Sequence, residues 1–162
     1  MDSNKKTNRK IVITSGYFNP LHIGHINLIR EAKKLGDFLV VIVNSDEQVK
    51  LKKSASFMSQ QERIEIIKSI KGVDEVFLSV DCFADGKEVP ISKSLEIIAK
   101  KYPGELIFAK GGDRDIDHIP WQEKEICDKF NIRVATNVGG KKVQSSSWLI
   151  DNAINSKFFE KT

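Results

Sequence analysis

The sequence predicts one α/β domain, a doubly wound parallel sheet of about five strands with helices on both faces. Three observations carry this. Short apolar runs alternate with amphipathic stretches of about ten residues, the pattern of repeated right-handed β–α–β units. The run 38–43 (Phe-Leu-Val-Val-Ile-Val) is apolar throughout and mostly β-branched, as in a parallel strand covered on both faces. Between the first apolar run and the first helical stretch lies Gly16-Tyr17-Phe18-Asn19-Pro20-Leu21-His22-Ile23-Gly24-His25. Such strand-to-helix turns bind phosphates in open α/β sheets, because free N–H groups and the helix dipole both face the ligand.

The elements follow in order. Residues 10–14 read as a buried strand. Residues 23–35 read as a helix, with Ile26, Leu28 and Ile29 spaced for a core face and Gly36 ending it. After strand 38–43, a short helix is expected over 45–51 and a basic loop over 50–56. Helix 59–70 has Ser59 as N-cap and Glu62 at the capping-box position. Strand 75–78, an irregular stretch over 79–89 and helix 92–101 come next. Strand 105–109, helix 121–130, strand 132–136 and helix 147–154 complete the chain. The expected domain spans 10–155, with a disordered basic leader over 1–9 and a tail over 156–162.

The 162 residues suffice for one domain with a core and not for two comfortable ones. Of the formal charge of +4, Lys5, Lys6, Arg9 and Lys10 less Asp2 supply +3, so the body is nearly neutral. That gives a nucleic-acid role little support. Cys82 and Cys127 are far apart and suggest neither a zinc site nor a disulfide framework; two buried free thiols are expected, in a reducing cytoplasm. No apolar run reaches membrane-spanning length.

Four segments fall at the carboxyl ends of the expected strands, where ligands bind. The first is Gly16–His25, in which His22 and His25 share one face of the first helical turn and Gly24 lets backbone approach a ligand. The second holds Asn44, Asp46 and the lysines Lys50, Lys52 and Lys53. Asp46 either caps the next helix or faces substrate. The lysines are either a solvated loop or a source of charge for phosphates. Arg63 follows, early in its helix. The third is Lys110-Gly111-Gly112-Asp113-Arg114, an ordinary turn or a surface against which a base or ribose lies. The fourth is Gln144-Ser145-Ser146-Ser147, where Ser145 or Ser146 caps the last helix or the hydroxyls and helix start hold a triphosphate. Gly139-Gly140-Lys141-Lys142 before it reads as a mobile basic loop.

Gly-Tyr-Phe-Asn-Pro-Leu-His-Ile-Gly-His resembles the H-x-G-H signature of the cytidylyltransferase-like nucleotidyltransferase superfamily. Lys110-Gly111-Gly112-Asp113 resembles the adenylyltransferase domain that makes ADP-activated heptose, where glycerol-phosphate cytidylyltransferases tend to show Gly-Asp-Asp. Ser145–Ser147 resembles the superfamily's Ser-Thr-Thr-x-Ile element. Tyr17 and Asn19 depart from the commoner small residue and aspartate, and 81–90 has no obvious counterpart.

The resemblance implies a Rossmann-like HUP-type fold and transfer of a nucleoside monophosphate, AMP favoured, from an NTP to a phosphorylated small molecule such as a heptose 1-phosphate. It implies catalysis by His22, His25 and Lys52, and nucleotide binding by Gly16, Tyr17, Phe18, Gly24, Lys110, Gly111, Gly112, Asp113, Ser145, Ser146 and Ser147. Asn44, Asp46 and Arg63 would serve the acceptor. Mg²⁺ would ride in on the NTP, with no protein metal site. A homodimer is one expected arrangement; nucleic acid and membrane are not expected partners. The rivals are a cytidylyltransferase acting on glycerol 3-phosphate or an aminoalcohol phosphate, and a non-catalytic nucleotide-binding module. A class I aminoacyl-tRNA synthetase fragment is disfavoured by the short chain and the lack of a Lys-Met-Ser-Lys-Ser-like loop.

Overall fold

Apolar, β-branched runs form the strands and the stretches between them wind into helices, in the order the sequence predicts. The computed structural model describes residues 8–54, 57–112 and 116–156. Most of the expected leader and tail, and Asp113 and Arg114, lie outside the described residues.

The elements run β1 (Lys10–Gly16), α1 (Ile23–Lys34), β2 (Phe38–Val43), α2 (Asp46–Leu51), α3 (Gln60–Lys68), β3 (Glu75–Leu78), α4 (Ser92–Lys101), β4 (Glu105–Gly111), α5 (Trp121–Lys129), β5 (Arg133–Val138) and α6 (Ser146–Ile154). A 3-10 turn, Ile116–His118, precedes α5. The strands form one five-stranded sheet in the order β3-β2-β1-β4-β5, and every pairing is parallel. The chain winds outward from β1 through β2 to β3, then returns to β4 beside β1 and continues to β5. The switch point therefore lies between β1 and β4, where such sheets open a ligand crevice.

Each sheet face has its own core. Ile29 and Ala32 of α1 and Ile67 of α3 pack with Val12, Leu39, Val41, Val43 and Ile107 on one face. Ile91, Leu95 and Ile98 at α4 and Cys127 of α5 pack with Ile11, Ile13, Val40, Ile42 and Phe108 on the other. The histidine-bearing helix and the α4–α5 pair thus rise from opposite faces and meet only above the carboxyl ends of the strands.

Local details correct some expectations. Ser45, not Asp46, caps α2, through a reciprocal box with Gln48. Ser59 accepts the Glu62 N–H, and only that half of its capping box forms. Cys127 is buried but Cys82 is exposed, because the irregular stretch after β3 runs along the surface. Among the described residues, no helix is long and apolar enough to cross a membrane.

Candidate active site

β1 delivers the chain to the switch point, and the turn after it is shaped by Phe18. This residue has a positive φ of 53°, a conformation that a bulky side chain rarely adopts. The ring is buried and meets His25 edge-on, with centroids 4.9 Å apart. The turn holds the ring beneath the imidazole.

His22 is the N-cap and His25 the third residue of α1, so both stand on one side of its start. They cap the helix reciprocally. His22 Nδ1 accepts the Gly24 N–H at 3.1 Å, and His25 Nδ1 accepts the His22 N–H at 3.2 Å. The rings stack with centroids 3.7 Å apart. A ring nitrogen that accepts an N–H carries no proton, so the hydrogen-bond network assigns both protons to Nε2. Burial and then the charge of Lys142 lower the His22 pKa. Burial and then its neighbour His22 push His25 down to about 3. At neutral pH the site holds two neutral imidazoles, each with an Nε2–H donor.

Gly24 is required here for a reason the sequence does not show. A Cβ would lie 2.9 Å from His22 Cε1, so the capping ring fills the space a side chain would need.

A cleft of about 640 Å³ opens over the strand ends, a size that suits a nucleotide or cofactor. Gly16, Tyr17, Phe18, His22, Gly24 and His25 line it, with Asn44 and Lys52 on the β2 side. Lys52 Nζ sits 4.9 Å above the Tyr17 ring. Lys110, Gly111, Gly112, Lys142 and Ser145–Ser147 line the β4–β5 side. All four sequence segments therefore meet in one cavity.

Arg63 and Asp46 do not line it. Arg63 is fully buried on the apolar side of α3, where its guanidinium is an anchor. It donates to the carbonyls of Tyr17 (2.8 Å), Asn44 (2.6 Å) and Met58 (3.2 Å), and pairs with Asp46 Oδ1 at 2.7 Å. It ties the turn after β1 to the end of β2 and the start of α2. We assign it a positioning role in place of the expected substrate contact.

The serines are engaged as well. Ser145 caps α6 by accepting the Trp148 N–H at 3.1 Å, and Ser146 Oγ donates to the Pro20 carbonyl at 3.0 Å, joining α6 to the histidine turn. Gly139 and Gly140 of the preceding loop both turn with positive φ, 90° and 79°. A Cβ on Gly139 would press on the Leu28 backbone, and one on Gly112 would overlap the Gly140 carbonyl oxygen. The chain's own loop, rather than a ligand, fills the space beside Gly112.

Sequence reasoning missed two contributors. Glu123 is buried, lines the cleft and pairs with Lys110 at 2.9 Å. Glu123 stands four before Cys127 on α5 and both are buried, so an acid one turn from an apolar position was the available signal. The second is the stretch ending in Glu88, Val89 and Ile91, which forms part of the wall.

Comparisons with known proteins agree with this geometry. The profile of the Cytidylyltransferase-like family matches residues 13–152. The FAD synthase of Pyrococcus abyssi is 39% identical over 119 residues, covering 72% of this chain and 73% of that protein. The bifunctional protein HldE of Desulfatibacillum aliphaticivorans is 41% identical over 78 residues, 47% of this chain and 16% of HldE. The crystal structure of a lipopolysaccharide core biosynthesis protein from Thermoplasma volcanium superposes with a TM-score of 0.58 at 26% identity, covering 79% of this chain and 95% of that one. With the stacked histidines at its switch point, the chain belongs to the cytidylyltransferase-like family of nucleotidyltransferases.

Proposed function

We propose that this enzyme transfers AMP from ATP to the phosphate of a small polyhydroxylated acceptor, a sugar phosphate such as a heptose 1-phosphate, and releases pyrophosphate. The observation that carries the reaction is the pair of neutral imidazoles at the start of α1. An acceptor phosphate oxygen attacks the α-phosphorus as the bond to the β-phosphate oxygen breaks, and that oxygen leaves with the pyrophosphate. No side chain forms a covalent intermediate. Charge spreads over the phosphate oxygens, and fixed donors that need not reorganise stabilise it. The Nε2–H groups of His22 and His25 are such donors. Lys52 and Lys142, which both line the cleft, supply positive charge. Mg²⁺ enters as part of the substrate, on the triphosphate.

Several features support a sugar phosphate. Lys110-Gly111-Gly112 lines the cleft in the sequence context that resembles ADP-heptose formation. The likeness to a lipopolysaccharide core biosynthesis protein points the same way. Among the described lining residues, only Tyr17 and the buried Phe18 offer large aromatic rings, a poor platform for a flavin. The FAD synthase relatives favour a second reading with FMN as acceptor.

The test is pyrophosphate release with ATP or CTP against heptose 1-phosphate, glycerol 3-phosphate and FMN. The expected result is release with ATP and heptose 1-phosphate. Faster turnover of FMN with ATP establishes the second reading. Release with CTP and glycerol 3-phosphate overturns the adenylyl assignment. Calorimetric binding of ATP without release from any pair makes the protein a nucleotide-binding module.

A further inference from the structure

The cleft has two unlike walls. One rises from the α1 face and is built for anions, with the histidine pair, Lys142 and the start of α6. The other rises from the α4–α5 face and is built around a buried ion pair. Lys110 Nζ meets Glu123 Oε1 at 2.9 Å, with side chains 10% and 4% exposed.

The β4–β5 register shifts between Ala109 and Gly111. A bulge at this point re-aims a side chain, and bulges collect beside active sites for that reason. The extra residue lies in β5, which advances three residues from Ala135 to Val138 while β4 advances two, and Lys110 is the β4 residue opposite it. Glu123 Oε2 also accepts the Ile91 N–H at 3.3 Å. Ile91 directly follows the strap 81–90, the segment with no obvious counterpart in the superfamily the sequence resembles. Asp85 fastens the strap's middle to α5, accepting from Trp121 Nε1 and Gln122 Nε2, both at 3.1 Å. The strap, α5 and β4 are thus latched at Glu123.

An isolated buried ion pair is a weak source of stability, so its place on a cleft wall calls for another use. Displacement at the α-phosphorus is in line. If pyrophosphate leaves toward the lysine and helix start of the anion wall, the acceptor stands against the other wall. Lys110 is balanced there by Glu123 and Glu88 also lines the wall, so it has no excess positive charge to attract a second phosphate. It carries fixed hydrogen-bonding groups, so it suits hydroxyls.

We propose that the Lys110–Glu123 pair selects the acceptor. Lys110, expected from the sequence to serve the nucleotide, donates instead to acceptor hydroxyls beyond the phosphate, and Glu123 is a positioning residue that holds the ammonium in place. This rests on the adenylyl-transfer reading.

The test compares heptose 1-phosphate with cyclohexyl phosphate, a ring of similar girth without hydroxyls. Glu123→Gln keeps the size of the side chain, and the double variant Lys110→Met/Glu123→Gln leaves no lone buried charge, so folding does not confuse the result. The double variant should raise KM for heptose 1-phosphate at least 10-fold, leave KM for ATP within 2-fold, and lower the preference over cyclohexyl phosphate by at least 10-fold, the penalty of unpaired polar groups being what enforces such a preference. A shift in KM for ATP alone assigns this wall to the nucleotide and overturns the proposal. Unchanged kinetics and preference overturn it too. If the wild-type protein turns over neither acceptor, the sugar-phosphate reading itself has failed, and the selection proposal falls with it.

Discussion

Replacing His25 removes two separable things. Its Nδ1 accepts the His22 N–H at 3.2 Å, half of the α1 cap. Losing a cap costs about 1 kcal/mol. Its Nε2–H is the donor assigned to the transition state, and losing one such donor costs about 10²–10³-fold in kcat, or roughly 3–4 kcal/mol of barrier. The ring also imposes a pH dependence on stability. Its folded pKa is about 3 because burial, and then His22, oppose the charged form. Unfolded, the imidazole titrates near 6.5. The unfolded chain therefore binds a proton that the folded chain refuses. This contribution is full above about pH 6.5 and is lost as pH falls from there toward 3, at roughly 1.4 kcal/mol per unit. Between pH 6.5 and 5.0 that is about 2 kcal/mol. Urea melts of the wild type and of His25→Gln across this range measure it, and the variant should show a shallower decline by about that amount. Pyrophosphate release at pH 7.5 gives the catalytic loss. Parallel stability curves would refute the buried neutral imidazole, and near wild-type kcat would refute its role as donor.

Other substitutions probe the scaffold. Arg63→Ala strands three carbonyls that the guanidinium now serves, and should cost about 3–5 kcal/mol in urea melts. Asp46 is half-buried and rehydrates, so Asp46→Asn should cost much less. Gly112→Ala drives a Cβ onto the Gly140 carbonyl and should cost about 1–3 kcal/mol. Gly111→Ala meets nothing within 4 Å and should leave the urea midpoint unchanged. Ser146→Ala cuts the bond to the Pro20 carbonyl; it should lower stability by about 1 kcal/mol and speed amide exchange over 144–148.

Patterns of residue type were legible in the sequence. Strand and helix positions follow from local periodicity, and the apolar run 38–43 is β2, paired on both edges. The junction at Gly16–His25 was legible because its chemistry and its place after a strand are both local. Contacts between distant residues were not. The sequence marked Arg63 as serving the acceptor, since nothing in α3 alone shows that the carbonyls of Tyr17, Asn44 and Met58 converge on it. The sequence could not show that Gly139 packs against the Leu28 backbone of α1, or that Gly140 turns with a positive φ of 79°. Glu123 gains its meaning only when β4, opposite the bulge in β5, brings Lys110 beside it.

The sheet order also governs how the molecule must assemble. β1 gains one neighbour early, since Lys10 and Asp37 are 27 positions apart. Its other neighbour comes late, with Thr14 donating to Ala109 across 95 positions. Until β4 arrives, β1 offers a bare apolar edge, the surface through which partly folded chains pair wrongly. The same distant closure completes the cleft, because β1 supplies the histidine turn and β4 supplies Lys110. Joining the two halves of the sheet is a slow, long-range step, and a chain arrested before it has neither a sealed sheet nor a reaction centre.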